Sequence, residues 1–156
     1  MTAQTTAVRY RERLLPGFGF FGAWLLLIPA TALIMMPINK AAAIPVAIGM
    51  YVLVALIFVA LSPVIEVRDG KLRAGRATIA VGFVGEIEAL GSDALRDIIG
   101  PGADARNYMV VRGWIHRGIK IEITDASDPT PFWIITSRKP IALAEAVRAE
   151  AAGVVA

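Results

Sequence analysis

The stretches Gly17–Ile38 and Ala41–Leu61 carry no charged residue, and only Asn39 and Lys40 separate them. About 20 consecutive apolar residues cross a hydrocarbon core about 30 Å thick, so each stretch is long enough to span a bilayer. That layer offers no water to backbone N–H and C=O groups, and a chain crossing it closes its own hydrogen bonds as a helix. Pro29, Pro37 and Pro45 would interrupt a helix in water. Within lipid, neighbouring helices and local adjustments re-satisfy the carbonyls they free. The sequence therefore predicts a membrane α-helical hairpin over residues 17–61, bent near Pro29 and turning at Asn39-Lys40.

Basic residues give the orientation. Arg9, Arg11 and Arg13 precede the first stretch, Arg68, Lys71, Arg73 and Arg76 follow the second, and Lys40 stands alone in the turn. The positive-inside bias then predicts a multi-pass protein of the inner (plasma) membrane with both termini cytoplasmic. Trp24, about one turn inside, suits an interfacial anchor. A cleaved signal peptide ending at Ala41-Ala42-Ala43 is the rival reading, but its apolar region would run only about 7 to 15 residues and no second span would follow.

Gly19, Ala23, Ala43 and Ala47 are small residues that let two helices approach closely. Gly17-Phe-Gly-Phe-Phe-Gly22 spells the G-x-G-x-x-G of dinucleotide sites, a motif that works between a strand and a helix; no strand is read ahead of it. Transport pathways usually show charged groups inside the spans, so a carrier or channel built from this hairpin alone is not expected.

Residues 1–16 read as a cytoplasmic tail. Residues 1–8 are small and polar, while Tyr10-Arg-Glu-Arg-Leu-Leu15 is either a solvated basic flank or a short amphipathic lead-in on the inner surface. Residues 62–156 have room for one small domain. The formal charge of +3 is unevenly placed, with four basic and one acidic group in residues 1–63 and twelve of each in residues 64–156. A basic excess beside the membrane fits topology and anionic headgroups. Nucleic-acid recognition would place it on the folded domain, so no nucleic-acid partner is expected. The chain has no cysteine, which removes disulfides and thiol chemistry.

After Ser62-Pro63 the pattern changes from apolar blocks to alternation. Val64–Arg68 and Leu72–Ala74 read as a hairpin about Asp69-Gly70-Lys71. Arg76–Val81 and Val84–Leu90 read as strands, and Ser92–Ile99 as one short helix, or a loop with a helical turn, with an N-cap candidate at Ser92 and Gly100-Pro101-Gly102 to stop it. Asn107–Ile115 and Gly118–Thr124 read as strands paired through His116-Arg117-Gly118, Asp125–Pro131 as a turn cluster, and Phe132–Ser137 as the last strand. Ile141, Leu143, Ala144, Val147 and Ala151 make the apolar stripe of a C-terminal helix that Pro140 opens. About seven antiparallel strands closed by one helix predict an α+β domain, a PH-like bent sheet or partly open barrel capped by that helix.

At Val110-Val-Arg-Gly-Trp-Ile115, at Ile119–Thr124 and above all at Asp125-Ala-Ser-Asp-Pro-Thr-Pro-Phe-Trp-Ile-Ile-Thr-Ser-Arg-Lys-Pro140, the chain resembles an uncharacterised actinobacterial family of small membrane proteins. Tyr10-Arg-Glu-Arg-Leu14 is similar to that family's opening. The resemblance covers nearly the whole chain and implies a two-span inner-membrane protein of unknown function, with no active site to carry over. Phe132 stands where Tyr is expected, a departure of one hydroxyl.

No catalytic set is legible. His116 is the single histidine; without cysteine, a zinc site of the usual N/S kind cannot be assembled, and a Ser-His-Asp triad would need folding to bring Ser127 or Ser137 to His116. Asp125 and Asp128 offer too few oxygens for calcium. Neither metal nor cofactor is expected. Arg112, Trp114 and Trp133 read as a core edge or an aromatic–cation cluster.

Ser137-Arg138-Lys139, ahead of the last helix, is the strongest candidate site. Its N–H groups and two cations, with Arg73, suit a phosphate or lipid headgroup, although a capped helix start with solvated cations is the plainer reading. The predicted function is that of a non-enzymatic, membrane-anchored interaction or accessory protein whose domain docks a protein partner, a second copy included. The alternative is recognition of anionic lipid or a phospho-ligand by the basic rim Arg9, Arg11, Arg13, Lys71, Arg73, Arg138 and Lys139.

Overall fold

A computed structural model describes residues 9–155, which fall into two compact units: residues 15–62, and residues 9–14 together with 63–155. In the helical unit, α1 (Phe18–Trp24) and α2 (Leu27–Met35) share the first apolar stretch and α3 (Lys40–Ala60) takes the second. The interruption at Leu25-Leu26 lies one turn ahead of Pro29, because the proline has no N–H to give the Leu25 carbonyl and its ring crowds that oxygen. The interruption falls where the bend near Pro29 is expected, with Leu25 and Leu26 themselves in right-handed helical backbone.

Asn39 caps α3, its Oδ1 accepting from the N–H of Ala41 at 3.0 Å and of Ala42 at 3.2 Å. Two donors left over at the helix start are thereby satisfied. The Phe20 and Trp24 rings lie 4.9 and 5.6 Å from that of Phe58, and the Tyr51 hydroxyl donates to the Phe21 carbonyl at 3.2 Å. Toward the other end of α3, Ala43 and Ala47 are buried. The small-residue contact thus forms at Ala43 and Ala47, whereas Gly19 and Ala23 are exposed, because aromatic rings fill the contact at the α1 end. Large aliphatic side chains turn outward: Leu26, Ile34 and Ile44 are 73%, 69% and 61% exposed.

In the other unit, β1 (Tyr10–Arg13), β2 (Val64–Arg68), β3 (Lys71–Ala74) and β4 (Ala77–Ala80) form a first, antiparallel sheet in that order. Asp69 and Gly70, at φ 53° and 68°, turn β2 into β3 as the Asp-Gly pair predicts. A second sheet has the order β5 (Val84–Leu90), β7 (Gly118–Ile123), β8 (Phe132–Thr136), β6 (Tyr108–Val110). Ile65, Val67 and Leu72 from the first sheet meet Ile119, Ile121 and Ile135 from the second and Leu143 and Val147 of α5 (Pro140–Val155) in one buried cluster. Each such side chain contributes about 1.5 to 3 kcal/mol by leaving water. A smaller cluster joins Leu95 of α4 (Ser92–Ile99) to Leu90 and Ile134 on the outer side of the second sheet. The cap of α4 is Gly91, not Ser92.

Three expectations are corrected. Tyr10–Arg13 is neither a tail nor an amphipathic lead-in but a strand of the domain, with Tyr10 opposite Val67 and Arg13 opposite Val64. Leu14, which follows, is fully buried and donates its N–H to the Pro63 carbonyl at 3.0 Å. The division at 1–16, 17–61 and 62–156 therefore differs at its N-terminal piece; the tail expected over residues 1–8 lies outside the described residues. A strand does precede the Gly17–Gly22 run, but β1 and β2 are antiparallel, so the parallel βαβ unit of a dinucleotide site is still missing.

Second, β6 does not pair with β7. It is three residues long and runs parallel to β8, with Tyr108 opposite Trp133 and Val110 opposite Ile135. Where its ladder ends, the Thr136 hydroxyl takes over, donating to the Val110 carbonyl at 3.1 Å and accepting from the Arg112 N–H at 3.2 Å. The chain then turns away, the Ile115 N–H reaching the Arg112 carbonyl at 2.9 Å. Third, the strands make two four-stranded sheets, one of them mixed, in place of a single antiparallel bent sheet.

Candidate anion site and basic sheet face

Ser137, Arg138 and Lys139 link β8 to α5. A helix start has unpaired N–H groups and a partial positive charge, and so attracts an anion. The anion present is the chain's own Glu12, delivered by β1. Ser137 Oγ donates to Glu12 Oε2 at 2.6 Å, and the Arg138 N–H to Glu12 Oε1 at 3.0 Å. The Tyr10 hydroxyl donates to Glu12 Oε2 at 2.7 Å and lies 3.2 Å from Ser137 Oγ, which accepts the Lys139 N–H at 3.0 Å. Arg138 Nη1 stands 4.0 Å from Glu12 Oε1.

Ser137 is fully buried and the Glu12 side chain only 13% exposed, so these charge-assisted bonds work with little competition from water. Burial, reinforced by the hydrogen bond to the Glu12 carboxylate and its charge, pushes the Tyr10 phenol up to about 12, with Ser137 opposing in part. The cluster fastens β1 to α5. Sequence reasoning missed Glu12; its signal was an acid at the inward register of Tyr10-x-Glu12-x-Leu14, legible only once the segment is known to be a strand.

Arg73 does not join this site. It lies on the outer face of the first sheet, where register places Arg11, Glu66, Arg73 and Thr78 in one row across four strands. Arg13, Arg68 and Lys71 share that exposed face. Arg9 turns aside to Glu150 of α5, Nε to Oε2 at 2.7 Å, while Glu150 Oε1 also accepts the Gly70 N–H at 2.7 Å. Arg68 Nε donates to Asp69 Oδ2 at 2.8 Å. The rim read from sequence thus separates into a sheet face, an Arg9–Glu150 pair, and the exposed side chains of Arg138 and Lys139. The basic excess that sequence placed beside the membrane sits on the folded domain.

The other candidates go elsewhere. His116 is exposed and lines a shallow cavity of about 90 Å³ with Ser92, Arg96 and Arg112, apart from Ser127 and Ser137. Asp125 Oδ1 accepts the Ser127 N–H and hydroxyl at 2.9 and 2.6 Å, and Asp128 Oδ1 the Thr130 N–H at 2.9 Å. These are turn bonds, and those from Ser127 hold the Asp125 carboxyl below its usual range. Among the described residues, no group of three or more His, Cys, Asp or Glu is placed to hold a metal ion.

Trp133 packs in the core against Tyr108, ring centroids 4.8 Å apart. An aromatic–cation pair forms on the second sheet, where Lys120 Nζ lies 4.2 Å from the Phe132 centroid among Glu86, Glu88 and Glu122.

No curated protein and no solved structure matches the chain. A family profile described as "Protein of unknown function (DUF3093)" matches residues 9–147. The match begins at the residue before β1 and ends inside α5. Running as it does through both compact units, it makes the chain a member of the DUF3093 family.

Proposed function

We propose that the chain is an integral protein of the plasma membrane, spanning it twice with both termini cytoplasmic, and that its β-rich domain is a membrane-anchored binding module with no catalytic role. One observation carries the topology. β1 ends and β2 begins at the paired positions Arg13 and Val64, so the polypeptide leaves one sheet, runs through the helical unit and returns to the same sheet. A chain built that way crosses a membrane an even number of times. The outward Leu26, Ile34 and Ile44 support the same reading, because each gains about 1.5 to 3 kcal/mol from an apolar surrounding.

Signal-peptide cleavage at Ala41–Ala43 would strip β1, with Glu12 and the buried Leu14, from the domain. Packing of α5 on strands of both sheets favours the PH-like reading, from which the division into two sheets, the parallel β6 and the strand ahead of the helices depart. A binding role is favoured because the polar groups at the α5 entry are spent on one another while the basic sheet face is open; the sequence puts a protein partner, a second copy included, first for the domain as a whole, and anionic lipid or a phospho-ligand second, for its basic residues. Topology is tested with single cysteines in this cysteine-free chain. A cysteine at Lys40 should react with an impermeant maleimide in intact cells, and one at Ala126 only after permeabilisation. Labelling of Ala126→Cys in intact cells, or release of the chain by alkaline carbonate, overturns the proposal.

A further inference from the structure

We infer that the outer face of the first sheet docks on anionic phospholipid headgroups; the inference rests on the two-span reading above. Neighbouring strands lie about 4.8 Å apart and alternate residues of one strand about 7 Å. Register therefore gathers Arg11, Arg13, Arg68, Lys71 and Arg73 into one patch opposed by Glu66 and Asp69. Among the described residues Arg11, Lys71 and Arg73 form no ion pair. Hydrogen-bonded strands hold these positions in place before any ligand arrives, so little ordering remains to be done on binding.

Strand alternation spreads the cations over a plane, which fits a sheet of headgroups better than one small phosphate. The second sheet presents the opposite sign, Glu86, Glu88 and Glu122 about Lys120, so an anionic surface attracts one side of the domain and repels the other. The tethering helices keep a bilayer at high effective concentration, which favours lipid over other polyanions. Near an anionic leaflet each Lys or Arg is worth roughly five-fold in binding, within a Debye length of about 8 Å at physiological salt.

The test uses the full chain in nanodiscs of zwitterionic phosphatidylcholine, mixed with vesicles of phosphatidylcholine alone or with added phosphatidylglycerol, and capture is read by flotation. Only the phosphatidylglycerol vesicles should capture the protein, and rising salt should release it. Arg11→Gln, Lys71→Gln and Arg73→Gln together should weaken capture roughly a hundred-fold, and each alone roughly five-fold, which keeps the test decisive if the triple variant unfolds. Glu86→Gln with Glu88→Gln should not weaken it. Equal capture by phosphatidylcholine, or unchanged capture by a folded triple variant, overturns the inference. So does duplex DNA or an acidic protein binding through the same three residues at lower concentration than the vesicles. Carbonate extraction, run alongside, reports separately on the two-span reading.

Discussion

Ser137 Oγ stands 2.6 Å from Glu12 Oε2, a hydrogen bond between residues on opposite sides of the helical unit in sequence. It closes the domain by joining its first described strand to the entrance of its last helix. Three further donors or neighbours surround the same carboxylate: Tyr10, the Arg138 N–H and the Arg138 guanidinium.

Glu12→Ala removes the shared acceptor and leaves the buried Ser137 hydroxyl and the Arg138 N–H without it. Loss of about 3 kcal/mol is expected, and about 1 kcal/mol for Glu12→Gln, which keeps an acceptor oxygen but not the charge. Thermal unfolding of the full chain in detergent, followed by tryptophan fluorescence, measures both. A Glu12→Ala midpoint matching the wild type would refute a structural role for the cluster.

Alkali should loosen the same cluster. Tyr10 is held near 12 in the folded chain against its ordinary 10, so the folded state keeps the phenol proton where the unfolded state gives it up. The stabilisation is complete below pH 10 and is lost as pH rises through about 12. Partial exposure limits it to roughly 1 to 2 kcal/mol. In ultraviolet titration the phenolate that appears near pH 12 in the wild type should be missing from Tyr10→Phe, whose stability should fall less steeply over that window.

Gly118→Ala tests a close approach of backbones. A Cβ on Gly118, at the start of β7, would collide with the Ile135 carbonyl oxygen on β8. Both atoms belong to a paired ladder and neither strand can give way cheaply. The expected loss is about 3 kcal/mol, seen as a lowered unfolding midpoint; a Gly82→Ala control, where a Cβ meets open space, should leave the midpoint nearly unchanged.

Helix packing has its own contrast. Ala47→Leu inserts three carbons where the side chain is buried, whereas Ala23→Leu adds them at an exposed position. The first should cost roughly 2 kcal/mol and the second less than about 0.5. Dodecyl sulfate titration followed by far-ultraviolet circular dichroism separates them, and equal sensitivity of the two variants would contradict the helix contact described.

The sequence made the helical stretches legible because membrane-length runs are a composition signal, independent of what packs on them. It also placed β2, β3, β5, β7, β8, α4 and α5, whose alternation or stripe is local. It missed β1, since the four residues Tyr10–Arg13 look like a basic flank until β2 lines up beside them. It mispaired β6, because nothing local shows that Thr136 will take the carbonyl of Val110. The candidate site was half visible: the Ser137-Arg138-Lys139 entry was read as an anion site, but the occupant, Glu12, lay where no helix-start rule would search.

The order of strands carries a consequence for biogenesis. Chains emerge from the ribosome N-terminus first, so β1 is made before the helices, while its ladder partner β2 follows them and Ser137 comes later still. Until β2 emerges the strand waits unpaired in the compartment where it was made. If the chain spans the membrane twice as proposed, one whose N-terminal segment alone had been carried across could never recover it, and would be left with an exposed β2 edge and an unanswered helix entry. On that proposal, completion of the domain rewards a threading that leaves the segments before and after the helices on one side of the bilayer, and no other.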